Sequence, residues 1–243
     1  MVKYLASIHP WDTAMSLAMG GDYEAVGTIE AQLLKRFDLK TGDFLIDVGC
    51  GSGRLASALA PFFDGNYLGV DVVPEMLEYA ASRVNRKDWH FVLGEGLTVP
   101  AGDGVADMVC FFSVFTHLFH QESYVYLRDA FRVLKPGGKV VFSFEEFAQP
   151  RHWRTFAELI RRIGETSGLG YNHDQFVSRD GIAAWSEHIG FEICEYIDAF
   201  VDSVALPHPV RFDDDRVASG MAALEQTVCV LKKPAEPTAQ NIR

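Results

Sequence analysis

Three glycines and three acids stand at intervals suited to holding a ligand. Gly49-x-Gly51-x-Gly53 follows the apolar run Phe44–Val48 and leads into Leu55, Leu59 and Phe62 at helical spacing. Glycine lets the backbone take positive φ and lets a ligand come close, so a strand–loop–helix of this kind is a nucleotide-type site. The glycines alone do not identify the ligand, since Gly51-x-Gly53-x-x-Ala56 also satisfies a loose dinucleotide fingerprint. The acids narrow the choice. Asp47 precedes the first glycine, where a carboxylate repels a pyrophosphate but pairs with an ammonium, directly or through water. Asp71 ends a second apolar run and can accept both hydroxyls of a ribose. Glu95 follows a third run and can accept from an adenine amine.

An ammonium, a ribose diol and an adenine without phosphate together describe S-adenosylmethionine. Its sulfonium carries a reactive methyl and leaves as S-adenosylhomocysteine, so the chemistry belongs to the cofactor. The protein has to align a nucleophile and exclude water. A general base is needed only where the nucleophile carries a proton. His117 is the first candidate, because imidazole as a class changes charge near neutrality; a structural role at a helix start is its alternative. Glu146, with Glu145 beside it, follows the fifth strand candidate, and His173-Asp174 lies in a glycine-rich loop. Each of these could accept a proton or bind an acceptor group, or be a solvated loop residue. No cysteine or histidine spacing points to a metal.

These residues need a scaffold. Near-continuous apolar runs at Phe44–Val48, Tyr67–Asp71, His90–Leu93, Asp107–Phe112 and Lys139–Phe144 fit strands covered on both faces. Between them helical spacing recurs: Val26, Ile29, Leu33 and Phe37; Met76, Ala80 and Val84 behind Pro74; Tyr124, Leu127, Phe131 and Leu134. Pro136-Gly137-Gly138 predicts a turn into the fifth strand. Trp153, Phe156, Ile160 and Ile163 mark a helix, as do Ile182, Trp185 and Ile189; Phe191–Ile197 and Thr227–Leu231 read as two last strands. The long connection 198–226 should hold extra structure. The expected fold is α/β: a doubly wound, seven-stranded, mostly parallel sheet with an antiparallel last strand, helices on both faces and a helical lid after the fifth strand. A single domain divides into an N-terminal arm and first helix (1–40), a cofactor-binding core (41–145), a substrate lid (146–180), the C-terminal part of the sheet (181–233) and a flexible tail (234–243).

Composition limits the partners. The 243 residues are 48% hydrophobic and 23% charged, which is ordinary for a globular chain. The net charge of −11 opposes a polyanion, so no nucleic acid is expected. Arg151, Arg154, Arg161 and Arg162 form the one basic cluster, read as a solvated helix face or a site for an anionic group of the substrate. No apolar run is long enough to span a bilayer and no signal peptide is visible, so a cytoplasmic chain without a membrane partner is expected. The four cysteines read as reduced and mostly buried. The aromatic arm (Tyr4, His9, Trp11, Tyr23) and Met19-Gly20-Gly21-Asp22 either cover the cofactor or make a homodimer contact.

Five segments in order resemble the signatures of class I S-adenosylmethionine-dependent methyltransferases. They are Phe44–Arg54, Gly69–Met76, Gly94–Pro100, Ala106–Leu118 and Arg132–Lys139. The resemblance spans roughly residues 40–145 and includes Trp185–Ile197 as a sixth-strand unit. It implies that Asp47, Gly49, Gly51 and Gly53 line the methionine half, and that Asp71 holds the ribose. It places Val72 and Met76 near the adenine, Glu95, Gly96 and Leu97 at the adenine edge, and Phe112 and Ser113 at the floor. Glu95 departs from the family's usual Asp, and Gly96 from its usual small side chain. The resemblance puts acceptor specificity in the segment after the fifth strand and in the N-terminal arm. The expected activity is methylation of a small-molecule acceptor, oxygen before nitrogen or carbon. Phe112-Ser113-Val114-Phe115 is not the tetrapeptide of amide or nucleobase N-methylation, and it holds no cysteine for pyrimidine C5 chemistry. A non-catalytic cofactor-binding protein and an NAD-dependent oxidoreductase are the alternatives.

Overall fold

The computed structural model describes residues 1–166 and 174–235. Helices α1 (Val2–Ile8), α2 (Trp11–Ala18) and α3 (Tyr23–Arg36) precede β1 (Phe44–Val48). There follow α4 (Arg54–Leu59), β2 (Asn66–Asp71), α5 (Pro74–Val84), β3 (His90–Leu93), β4 (Ala106–Phe111), α6 (His120–Val133) and β5 (Leu134–Phe144). Then come α7 (Pro150–Thr166), α8 (Arg179–Ile189), β6 (Glu192–Ile197) and the short β7 (Val204–Ala205), β8 (Val210–Arg211), β9 (Val217–Ala218) and β10 (Met221–Ala222). The last strand is β11 (Thr227–Lys232).

One seven-stranded sheet runs in the order β3-β2-β1-β4-β5-β11-β6. The first five strands pair parallel, and β11 lies antiparallel to both β5 and β6. This is the expected Rossmann-like architecture. The order reverses between β1 and β4, so the chain leaves the two strands toward opposite sides and opens a crevice at their carboxyl ends.

Both faces are covered, which the apolar runs require. Leu45, Met108, Cys110 and Val141 turn to one face, under α3 and α4. Their neighbours Ile46, Val109, Phe111, Val140 and Phe142 turn to the other, under α6 and α8. Each such side chain, fully buried, stabilises the fold by about 1.5–3 kcal/mol.

Two boundaries differ from the spacing. Leu134 starts β5 instead of closing α6. Pro136-Gly137-Gly138 is no turn before the strand but part of an irregularity within it, between the pairs Ala106–Leu134 and Met108–Lys139. Pairing to β4 resumes beyond the proline, which has no N–H for a ladder. In residues 198–226 β7 pairs with β10 and β8 with β9, which is the extra structure the length of that connection called for.

A buried ion pair fixes α4 against α3. Arg54 Nη2 donates to Glu30 Oε1 at 2.6 Å, and Arg54 Nη1 to the Met19 carbonyl at 3.2 Å. The same guanidinium thereby holds the N-terminal arm over the sheet. Burial pushes the Glu30 carboxyl up, and Arg54 opposes it. Removing one member strands the other charge. Arg54→Met is expected to lose about 3–5 kcal/mol of stability in urea titrations. Glu30→Leu/Arg54→Met should recover most of that loss; an equally unstable double variant would show that the pair's charge is not the cause.

Candidate active site

The turn from β1 into α4 is shaped by what crowds it. Gly49 has φ +78°, and a Cβ there would sit 2.3 Å from Val114 Cγ2. Gly51 has φ +52°, and a Cβ there would sit 2.0 Å from Met19 Sδ. Asp71, at the end of β2, ties this turn to the next one. Its Oδ2 accepts the Gly51 amide at 2.8 Å and its Oδ1 the Val73 amide at 2.9 Å. Burial raises the Asp71 carboxyl, and those amides oppose the rise. A carboxylate offers about four acceptor positions, so two remain for a ligand's hydroxyls.

A cavity of about 520 Å³ opens over this turn, at the carboxyl ends of β1, β2 and β4. That is within the range of small-molecule and cofactor sites. Gly49, Asp71, Val72, Met76, Phe112, Ser113 and His117 line it. Met1 and Leu17–Gly20 of the arm close it from above. Val2, Met15, Met76 and Tyr79 form a small core of their own, which seats the arm on α5. The arm thus covers the cavity with Met1 and Leu17–Gly20, while its aromatic residues Tyr4, His9 and Trp11 are exposed.

Asp47 sits deeper. It is 2% exposed, and its carboxylate accepts from Tyr67 Oη at 2.6 Å and from Cys110 Sγ at 3.5 Å. Burial pushes its pKa up to about 7 against the donated hydrogen bonds, with Glu30 and Asp71 adding to the rise. Asp47, Gly49, Met19 and Phe112 border a space of about 10 Å³, close to what one water needs. A direct ammonium contact is therefore closed to Asp47, whereas a water-bridged one is geometrically open.

The adenine-edge segment fares differently. The cavity wall includes Gly94 but not Glu95, Gly96 or Leu97. Glu95 and Gly96 are exposed, and Leu97 packs into the α6-side core. The Gly96 carbonyl accepts from Tyr126 Oη at 3.1 Å, and Tyr126 does line the cavity.

Ser113 is the hinge between two spaces. It is a non-glycine residue at φ 58°, a left-handed conformation that needs support from its surroundings. The support comes from 113 residues away. The Ser113 amide donates to Ser143 Oγ at 2.7 Å. Gln226 Oε1 accepts from Ser143 Oγ at 2.6 Å and from Ser113 Oγ at 3.2 Å. On the far side lies a cavity of about 210 Å³ that shares Gly20, Arg54 and Ser113 with the larger one. Phe212, Leu224 and Gln226 complete its wall. Gln226 and Arg54 are thus site residues that spacing did not single out. Arg54 lay unread beside the glycines, and Gln226 carried no local signal at all.

The two acids after β5 separate. Glu146 is buried with both oxygens engaged: Arg179 donates to them at 3.0 and 2.7 Å, and Thr227 Oγ1 at 2.8 Å. Burial acts to raise its pKa, but Arg179 and Thr227 outweigh it and hold the carboxyl low. A proton-accepting role for Glu146 is therefore corrected to a structural one. Glu145 is the less tightly held of the two: its Oε2 is buried with no hydrogen-bond partner among the described residues. Burial, and then the charge of Asp174, push it up to about 7. Residues 175–177 bind both its strand end and the Ser113 turn, with Gln175 N donating to the Thr116 carbonyl and Val177 N to that of Glu145. His117 is exposed at the rim of the larger cavity. His173 lies outside the described residues.

Known proteins agree with this architecture. Residues 46–142 match the family model described as a methyltransferase domain. The chain is 26% identical over 181 residues to a demethylmenaquinone methyltransferase of Lactobacillus johnsonii, covering 66% of this chain and 72% of that one. It is 27% identical over 147 residues to the 27-O-demethylrifamycin SV methyltransferase of Amycolatopsis mediterranei, covering 58% of this chain and 53% of that one. A solved SAM-dependent methyltransferase from Methanosarcina mazei superposes with a TM-score of 0.59 at 16% identity, covering 84% of this chain and 98% of that one. Residues 46–142 thus form a methyltransferase domain, and the chain is similar over most of its length to S-adenosylmethionine-dependent methyltransferases.

The buried Asp47 gives a pH signature. In the unfolded chain it titrates at its ordinary 3.8 and in the folded chain at about 7. The folded state therefore keeps a proton that the unfolded state releases, and stability falls as pH rises between those values. Asp47→Asn removes this slope. Relative to wild type it should gain on the order of 4 kcal/mol between about pH 4 and pH 7, followed by urea unfolding. A wild-type-to-variant difference that stays flat with pH would mean that Asp47 titrates normally.

Proposed function

We propose that this chain moves the methyl group of S-adenosylmethionine to a small-molecule acceptor, oxygen being the first choice of acceptor atom. The observation that carries the reading is the 520 Å³ cavity over the glycine turn, with Asp71 at its edge and the smaller cavity beyond Ser113. Relatives bear names of O-, N- and C-methyltransferases, and the rifamycin relative's name supports oxygen.

The residues fit the cofactor group by group. Asp71 would take the ribose hydroxyls with its two remaining acceptor positions. Val72 and Met76 would pack against the adenine, and Gly49 and Gly51 leave room for the methionine half. Asp47 would reach the ammonium through a water. When bound, the cofactor supplies the electrophilic methyl carbon. The chain's own work is then to orient and to dry the site. Met19 and the arm exclude water from one side, and Ser113 with Gln226 forms the wall that the acceptor meets. Of the segment 146–180 expected to form a lid, the described residues 146–166 and 174–180 lie past β5 and would flank the entrance. An acceptor hydroxyl needs a proton acceptor, for which His117 at the rim and Glu145 beyond the Ser113 turn are the two candidates.

Titration calorimetry with S-adenosylhomocysteine tests the cofactor site directly. Wild type should bind, and Asp71→Ala should bind roughly 100-fold more weakly, about 2.7 kcal/mol for two hydrogen bonds to a charged group. Circular dichroism should show the variant folded. Binding of NAD in place of S-adenosylhomocysteine would overturn the reading. His117→Asn, assayed against a hydroxyl acceptor found by screening wild type, should lower kcat by roughly 100-fold or more and leave cofactor affinity unchanged; an unaltered kcat would remove His117 from the chemistry.

A further inference from the structure

Gln226 has one end of its side-chain amide committed and the other unused. It immediately precedes β11, which runs antiparallel to β5 with Thr227 opposite Phe144. An antiparallel strand begins where the parallel strands end, so Gln226 stands at the carboxyl edge of the sheet, beside Ser113. Ser143 fixes which end of the amide faces the sheet. Its side chain is fully buried, and its Oγ already accepts the Ser113 amide at 2.7 Å. Its one hydroxyl hydrogen goes to Gln226 Oε1 at 2.6 Å. With the amide reversed, that hydrogen would lose its acceptor in a fully buried place. Ser113 Oγ donates to the same Oε1 at 3.2 Å. Nε2 is left with two N–H donors and no partner among the described residues. It is not sealed in protein either, and the space that Gln226 borders is the 210 Å³ cavity.

We infer that Gln226 selects the acceptor: its Nε2 donates to a carbonyl oxygen that the acceptor carries beside the hydroxyl to be methylated. The inference rests on the methyl-transfer reading and adds a substrate class to it. Gly20, Arg54 and Ser113 border both cavities, so the methyl crosses at that junction. The hydroxyl oxygen forms its bond to the methyl carbon as the carbon–sulfur bond breaks. The sulfonium leaves as the thioether, and the hydroxyl proton passes to the base. Gln226 is bonded to Ser113 at this junction, so the oxygen its amide serves lies within a few bonds of the reacting hydroxyl. The rest of the wall sets the body of the acceptor. Val26, Ile29, Phe212 and Leu224 call for an apolar frame that includes a ring or similar flat group. A neutral carbonyl suits the space better than a carboxylate. Asp22 and Glu225 border it, and Arg54, the one cation among the described lining residues, is already matched by Glu30. A carbonyl oxygen has two lone pairs, so it can accept from Gln226 even where the acceptor's own hydroxyl bonds the other.

The test is a binding measurement by NMR titration on the full chain saturated with S-adenosylhomocysteine, so no turnover is needed. The probes are ortho-hydroxyacetophenone and ortho-ethylphenol, which share the ring and the hydroxyl and differ in the carbonyl. Wild type should bind the carbonyl probe at least roughly fivefold more tightly, the worth of one neutral hydrogen bond. Gln226→Glu keeps an oxygen for the two serines and puts a carboxylate oxygen where the donor was. The preference should then fall below roughly twofold, because the donor that made it is gone. Melting temperature and S-adenosylhomocysteine affinity should stay at wild-type values, since Ser113 keeps its support and Gln226 does not border the larger cavity. Gln226→Met, of similar volume and without a donor, gives the same readout should the glutamate variant melt low. Equal affinities of wild type for the two probes, binding of neither, or a preference that survives both substitutions would overturn the inference. Failure of wild type to bind S-adenosylhomocysteine is a separate outcome: it defeats the methyl-transfer reading itself and this inference with it.

Discussion

The turn between β1 and α4 has no room for a side chain, and much of the structure is arranged by that fact. Met19 descends onto Gly51 from one side and Val114 onto Gly49 from the other. These contacts bring the N-terminal arm and the strand-four turn within reach of the same few backbone atoms. Asp71 then joins β2 to the turn through the Gly51 amide. The cavity exists because three separate elements close on a backbone that can take positive φ at successive alternate residues. A single Cβ would push the arm or the β4 turn away and open the cavity to water.

Burial sorts the acids of this chain into different kinds. Asp47 and Asp71 both end strands beside the glycines, yet Asp47 is sealed beneath Tyr67 and Cys110 while Asp71 keeps acceptor positions facing the cavity. Glu145 and Glu146 are adjacent in sequence and opposite in character. Side chains alternate across a strand end, so one faces Arg179 and Thr227 and the other is left with a buried, unpaired oxygen. A carboxylate that is paired stays ionised and holds structure. One whose burial outweighs its donors, as at Glu145 and Asp47, holds its proton to higher pH and can exchange it near neutrality.

The acceptor side is assembled from late segments. Gln226 supports Ser113 in its left-handed conformation, and His152 fixes Glu225 next to it. α7 is thereby coupled to the wall of the smaller cavity through two hydrogen bonds and a strand end. Arg54 plays the corresponding part on the cofactor side, where one buried guanidinium binds α3 and the arm together.

The sequence by itself determined the sheet, its strand boundaries to within a residue or two for most strands, the class of cofactor and the glycine turn with Asp71. Those features are written in contiguous residues: apolar runs, helical spacing and glycines at fixed offsets all act over a few positions. It went astray where a local pattern met a tertiary demand, as at Leu134 and Pro136, where pairing to β4 overrode the turn. Only the tertiary structure decided which acids are paired and which are not, which way the arm folds, and that Gln226 and Arg54 line the cavities. Those outcomes depend on burial and on partners as far as 113 residues apart. Desolvation and pairing across such distances leave no periodic trace in a chain, because they arise only after the sheet has brought its edges together.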